Sequence, residues 1–519
     1  MFEGNLALRV RNPPAARLLQ RHEGDVFQAG SSGFWLTNPD NVVRRNRAGD
    51  AEGNGFWMSF PRKPLGLSKN VRILPDRTRH GVFDDNVAHS AQSPGIHLNW
   101  APVDDAGNLA PNKYIPTRTG AEDRFGDNRV RFALNRNVSF KNGDGAYRNN
   151  VSWPDYNQWV VADNAGAYFA GAGDDGYIRR ALVVGTSLNK ANGWPRFPDK
   201  HWEPPVAFAS YHSTFNMQDN VVVNFPFVPG RSSGAFKTED YYLIGMEKGT
   251  VRNSGNRLIN SHPGYRFPPP LMRADAKPND NWTLSGALWD PHGYWGRKGN
   301  FWVYDVPFLT EGAQCTPVAP AGRNGASCGG QYYGVEDFIV DEPDRRAQFL
   351  RPISVRRQRP DGSLVGTWAV RDGATSTMLG NMRHFTARPG AEYVLTFPGT
   401  PTPTRRVEMG ITNAYRATDS FVMAVSWAGG SNPVVFTGEG GWNRSGQHGP
   451  QPGASNRRDM RPASSLAQVR AGTGNLFWVD TARQLLWFKY VGGLRLKGTG
   501  APNSDWDLYR PHAVVIEAR

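Results

Sequence analysis

Three adjacent aspartate pairs, Asp84-Asp85, Asp104-Asp105 and Asp174-Asp175, are the first residues whose types could do chemistry. Paired carboxylates can ligate calcium or act as acid and base in glycosidic cleavage. Neighbours in a strand point to opposite faces, so one pair rarely supplies both carboxylates, and solvated turns are the commoner home of aspartate. Asp84 and Asp85 carry more weight than the other pairs, because they adjoin Asn86 and lie near His80, His89 and His97. Asp84, Asp85 and His89 are therefore the catalytic candidates. His89 and His97 lack a tight metal-ligand spacing, so no metal site is assigned. A pectin-hydrolysing site of the polygalacturonase kind would need more spaced aspartates and a Gly-His-Gly. Only Arg79-His80-Gly81 is present.

Aromatic rings stack on pyranose faces, and guanidinium groups pair with uronate carboxylates. On that chemistry Arg77, Arg79, His97 and Trp100 are the substrate-binding candidates. Trp35 and Trp57 recur at related repeat positions with Arg62 nearby, and a core role is an equal alternative for those two. Two familiar patterns are set aside. Gly171-Ala172-Gly173-Asp174-Asp175-Gly176 matches a dinucleotide motif, but Tyr177–Val184 reads as a strand where a helix N-terminus is needed. Gly230-Arg231-Ser232-Ser233-Gly234 matches a nucleophile elbow without its strand–turn–helix setting.

The elements that would position these groups come from internal repeats. Gly33-Phe34-Trp35-Leu36 returns as Gly55-Phe56-Trp57-Met58, and Gly95-Ile96-His97-Leu98 follows forty residues later. A second phrase, apolar-x-x-Asn-x-small, reads Phe2–Asn5–Ala7, Val43–Asn46–Ala48, Phe83–Asn86–Ala88, Leu134–Asn137–Ser139 and Tyr147–Asn150–Ser152. The last two lie too close together to share one place on successive coils. A period near 20 residues, with asparagine and glycine at turns and no helical periodicity, predicts a parallel β-helix with an inward asparagine ladder. The sequons at Asn137 and Asn150 then read as ladder residues, and Asn281-Trp282-Thr283 as the better glycan acceptor.

The fold expected is all-β: a right-handed parallel β-helix over residues 1–265 and a loop-rich aromatic connecting region over 266–350. An antiparallel β-sandwich accessory domain follows over 351–519. Pro360-Asp361-Gly362 between strand-like runs marks a hairpin in that last part.

Composition narrows the function. The 519 residues include 58 glycines and 39 prolines, yet 39 % are hydrophobic and 12 % aromatic, which excludes general disorder. The net charge of +14 favours a polyanionic partner. No run of five basic residues occurs, so a nucleic-acid tail is not expected. That leaves an acidic polysaccharide, an anionic membrane surface or a basic protein with no such partner, and the arginine and aromatic residues above favour the polysaccharide. The apolar runs are too short for a membrane span. Cys315 and Cys328 flank a short Pro/Gly/Ala-rich loop, and a disulfide between them would imply an oxidising compartment, with two free thiols as the alternative. Secretion or an extracellular location is the expectation. Met1-Phe2-Glu3-Gly4-Asn5 lacks the features of a signal peptide, whose place would then be upstream.

Phe2-Glu3-Gly4-Asn5-Leu6-Ala7-Leu8, then Gly33-Phe34-Trp35-Leu36-Thr37-Asn38-Pro39, then Asn46-Arg47-Ala48-Gly49 and Gly53-Asn54-Gly55-Phe56-Trp57, follow in order. Over about residues 1–100 this resembles the β-helix of the cell-surface hyaluronidase, cell-migration-inducing hyaluronan-binding protein and fibrocystin-like family, as a bacterial secreted member. The resemblance implies binding or depolymerisation of hyaluronan or a similar acidic glycan, with calcium as the implied cofactor. In that family the residues linked to cleavage lie upstream of the Glu-Gly-Asn-Leu-Ala phrase, so none is carried over. The chain is expected to be the C-terminal portion of a longer protein, its first coil exposing an unpaired edge. The alternatives are a non-catalytic glycan-binding or adhesion solenoid and, on β-helix analogy alone, a pectin-type lyase or hydrolase.

Overall fold

The computed structural model describes residues 1–14, 31–98, 103–106, 110, 112–121, 130–148, 151–189, 206–226, 234–238, 249–251, 253–263, 286–290, 293, 296–318, 325–340, 353–370, 384–397, 406–412, 420–428, 430, 432–439, 457–492 and 512–518. The chain divides into two units. One comprises Met1–Glu122, Asn128–Gly245 and Arg252–Pro268, and the other Asp123–Asp127, Met246–Val251 and Pro269–Arg519.

The first unit is a parallel β-helix whose coils turn past three faces. The first face stacks Phe34–Leu36, Phe56–Met58, Ile96–Leu98 and Ala146–Arg148 in parallel register. The second stacks Phe2–Glu3, Val42–Arg44, Val82–Asp84, Phe132–Asn135 and Pro154–Asn157. The third runs from Leu6–Leu8 through Arg47–Gly49, Val87–His89, Val138–Phe140, Val160–Ala162, Leu182–Val184 and Val221–Val223 to Arg257–Ile259, eight strands in all among the described residues. Two long strands, Ala167–Arg179 and Val206–Gln218, straighten the corner between the first two faces and join them into one sheet.

The bare coil is 22 residues, as the third-face partners Val138, Val160 and Leu182 show. The coils from Arg47 to Val87 and from Val87 to Val138 are longer because residues 59–81 and 99–131 are inserted between the first and second faces. Those insertions hide the period in the sequence.

A single left-handed residue makes the turn from the second face to the third in every coil. Arg45, Asp85, Arg136, Gln158, Arg180 and Asp219 all have φ between 53° and 59°, with Gly4 and Gly255 at the two ends. For residues with a Cβ this conformation costs about 1–2 kcal/mol each. The asparagine that follows offsets the cost. Asn86 Oδ1 accepts from the backbone N–H and the side-chain amide of Asn46, and Asn86 Nδ2 donates to the Val43 carbonyl. Asn46 and Asn137 repeat the pattern, and Asn220 and Asn256 form a second stretch.

Between the two stretches stands Trp159, fully buried, whose Nε1 donates at 2.7 Å to the Leu134 carbonyl in place of an amide. Ala181 occupies the next rung, a small residue beside a large one. The fifth asparagine phrase is thereby corrected: the rung after Leu134–Asn137–Ser139 is Tyr156–Trp159–Val161. Tyr147 belongs to the first face, and Asn150 lies outside the described residues. Inside the coils, Phe34 stacks on Phe56 at 4.7 Å, and Phe169, Phe208 and Phe236 continue the row.

The second unit is built of largely antiparallel sheets. Within residues 266–350, expected as a loop-rich aromatic connecting region, the described residues include strands such as Asn300–Tyr304, in which Phe301, Trp302 and Val303 are buried. Cys315–Val318 and Gly325–Cys328 pair antiparallel, with Cys315 opposite Cys328 and the two joined by a disulfide. The expected hairpin is present: Ile353–Gln358 pairs with Leu364–Val370, and Gly362 takes φ 85°. Two of its sheets pack as a sandwich, with Phe385 of one against Tyr393 of the other at 5.3 Å, and Tyr333 against Phe421 at 6.0 Å.

Candidate functional site

Residues 61–81, most of the first insertion, hold six basic side chains (Arg62, Lys63, Lys69, Arg72, Arg77 and Arg79) against one acid, Asp76. Asp76 is buried, and it pairs with Arg77 at 3.1 Å and Arg62 at 3.2 Å. Burial pushes its carboxyl up, while the two guanidinium groups pull it down. The following coil clasps this segment. Arg77 Nη1 donates to the Lys113 carbonyl, and the Tyr114 hydroxyl donates to the Thr78 carbonyl. Backbone bonds from Ile115 and Thr117 reach the carbonyls of Asp76 and Arg77.

Below the insertion, His80 stacks on Phe132 at 4.7 Å, and burial pushes its imidazole down to about 4. The acid of the segment is thus consumed internally. Lys63, Lys69, Arg72 and Arg79 stay exposed beside the exposed side chains of Leu67, Val71 and Ile73.

This geometry separates the residues that sequence reasoning grouped for binding. Arg79 is exposed. Arg77, two positions away, is buried at 6 % exposure and holds the segment in place. His97 is also buried, and Trp100 lies outside the described residues. The register places His97, not Trp100, in the outward row of the first face with Trp35, Trp57 and Tyr147. Trp35 is the exposed end of that row at 45 %, stacked on buried Trp57 at 5.7 Å. Lys63, Lys69 and Arg72 were missed, and the signal that could have found them is the lack of any acid but Asp76 between 61 and 81.

The catalytic candidates lie on two faces. Asp84 is on the second face and accepts from the backbone and side-chain amides of Asn135. Asp85 sits in the left-handed turn and accepts two bonds from Arg136, at 2.8 and 2.9 Å, which hold its carboxyl below the usual range. His89 lies past the corner on the third face, stacked on Phe140, its imidazole lowered first by burial and then by Arg47. The structure does not bring these three side chains together as one site. Among the described residues, no three His, Cys, Asp or Glu side chains converge to hold a metal ion. Asp84 and Asp85 already direct oxygens at Asn135 and Arg136, so this pair is a poor fit for calcium.

Residues 1–96 match the family described as CEMIP beta-helix. The N-terminal coils are thus similar to the CEMIP and fibrocystin-like β-helix family. Over 88 residues the chain is 31 % identical to Fibrocystin-L of Mus musculus and 30 % identical to Fibrocystin-L of Homo sapiens. The match covers 17 % of this chain and 2 % of each relative. The CEMIP-like segment thus includes the basic insertion and ends inside the strand that carries His97. No helix among the described residues is long and apolar enough to cross a membrane.

Proposed function

We propose that the first unit binds an acidic polysaccharide, hyaluronan or a glycan of similar charge, through the basic insertion at residues 61–81. The observation that carries this reading is the consumption of Asp76 by Arg62 and Arg77, which leaves Lys63, Lys69, Arg72 and Arg79 exposed without an exposed acid in the segment. Uronate carboxylates pair with such cations, and the neighbouring apolar side chains can meet sugar ring faces. Arg79 acts here as a contact residue, and Arg77 as the residue that positions the segment. A secreted protein suits this role, and the Cys315–Cys328 disulfide suits an oxidising compartment. Binding is favoured over cleavage, because Asp84, Asp85 and His89 point their chemistry at separate neighbours.

The test is a titration with hyaluronan and with a neutral glucan at two salt concentrations, alongside measurement of hyaluronan chain length. Hyaluronan should bind more tightly and lose affinity with salt, since exposed pairs are screened over roughly 8–10 Å at physiological ionic strength. A variant with alanine at Arg72 and Arg79 should flatten that salt dependence. Equal affinity for both glycans would overturn the proposal, and rapid chain shortening would restore a cleavage role.

A further inference from the structure

The first insertion displays apolar side chains that the coils do not use. Residues 66–73, Gly-Leu-Ser-Lys-Asn-Val-Arg-Ile, are exposed without interruption, and buried Pro64 and Pro75 stand on either side. Leu67 is fully exposed, and Val71 and Ile73 are 52 % and 40 % exposed. The run holds no acid and no aromatic ring. Turn bonds set its backbone: the N–H groups of Ser68, Lys69 and Val71 donate to the carbonyls of Leu65, Gly66 and Ser68. The Gly66 N–H donates to Asp105 Oδ1 of the next insertion.

A lone exposed leucine is ordinary, but three large aliphatic side chains exposed in one short loop are not. Elsewhere among the described residues, exposed large apolar side chains either line the first coil, as Phe2, Leu6 and Leu8 do, or stand singly.

The flanking charge points to what covers them. Lys63, Lys69, Arg72 and Arg79 are exposed, while Asp76 is buried against Arg62 and Arg77. None of those four exposed cations has a carboxylate partner among the described residues. An aliphatic tip among unpaired cations matches both layers of an anionic bilayer surface, headgroup anions for the cations and acyl chains for the tip. A glycan strand answers the cations, but it offers an aliphatic tip only ring faces set among hydroxyls.

We infer that residues 63–79 form a membrane-surface anchor. Leu67, Val71 and Ile73 enter the interface of an anionic bilayer, and Lys63, Lys69, Arg72 and Arg79 pair with its lipids. A loop of this length, half out and half back, reaches at most about 13 Å. That covers the roughly 5–10 Å depth of interfacial insertion. The anchor does not depend on whether the same cations also bind a glycan.

Co-sedimentation of the full chain with vesicles of phosphatidylcholine alone, or with about one third phosphatidylserine, tests this. Neutral vesicles should be bound about a hundredfold more weakly than anionic ones. Leu67→Ser should weaken binding to anionic vesicles about tenfold. Lys69→Gln combined with Arg72→Gln should weaken it about 25-fold. All three positions are exposed, so these variants keep the fold. Because Cys315 and Cys328 are bonded to each other, Leu67→Cys supplies a single reactive thiol for an environment-sensitive dye. Its emission should move to shorter wavelength on anionic vesicles and stay unchanged with neutral ones. No binding to anionic vesicles, equal binding to both compositions, or a dye that stays in water on bound vesicles would each overturn the inference. Hyaluronan binding without vesicle binding would remove the anchor and leave glycan binding standing, and vesicle binding without hyaluronan binding would do the reverse.

Discussion

Lowering the pH from 7.5 to 5.0 should destabilise the first unit through two buried histidines. His97 Nδ1 lies 3.2 Å from Asn54 Oδ1, which can only accept, so Nδ1 carries the proton and Nε2 is left a bare acceptor without a partner. Burial pushes His97 down to about 3 and His80 down to about 4, against 6.5 for an ordinary imidazole. The unfolded chain therefore takes up these protons first, and stability falls as pH drops below 6.5. At pH 5.0 the folded imidazoles are still neutral, while the unfolded ones are 1.5 units below their midpoint. Each histidine then costs about 2 kcal/mol, or about 4 kcal/mol together. Depressed carboxylates such as Asp85 act only at lower pH, so they stay out of this window. Hydrogen exchange in peptides covering residues 82–98, measured along a urea series, reports the first unit by itself. In His97→Phe the loss between pH 7.5 and 5.0 should shrink by about 2 kcal/mol, whatever the variant costs at neutral pH. An unchanged loss in that variant, or a wild type equally stable at both pH values, would refute the reasoning.

Trp159→Phe removes the indole bond to the Leu134 carbonyl and should cost the first unit about 1–3 kcal/mol by the same exchange measurement. Asn137→Ala removes the acceptor for two Asn86 donors and the donor to Phe83, and should cost about 3 kcal/mol or more in that assay. In the second unit, Arg357 is buried and donates to the carbonyls of Pro307 and Glu311 around the short helix Pro307–Thr310. Arg357→Met should lower that unit's unfolding midpoint by an amount worth about 2–4 kcal/mol, with the exchange of residues 82–98 unchanged. Unreduced, denatured protein should show no reactive thiol until a reductant is added, and two per chain beforehand would contradict the Cys315–Cys328 bond.

The coil architecture was legible because a turn with one left-handed residue imposes a local demand that asparagine meets best. Asn5, Asn46, Asn86 and Asn137 therefore stand out at their spacings despite insertions as long as those at 59–81 and 99–131. The ladder became illegible at Trp159 and Ala181, where a ring N–H replaces the side-chain amide at one rung and the next rung has no side-chain amide at all. The strand Asn300–Tyr304 was missed for a similar reason. Glycine and proline on either side look like loop punctuation, while the burial that makes Phe301 and Trp302 a strand comes from partners distant in sequence.

Charge was legible as a total but not as a site. Arg77 and Arg79 have the same side chain, near-identical local sequence and opposite fates. What separates them is the Lys113 carbonyl and the buried Asp76 carboxylate, one of which arrives from the next coil. A solenoid makes this general, because each outward position is judged by whatever insertion lies across it. On the third face nothing among the described residues covers the valines, and on the first face Trp57 and His97 are buried although they point outward by the same alternation. Local spacing therefore tells which way a side chain points, and only the packing of later coils decides whether it meets water, protein or a ligand.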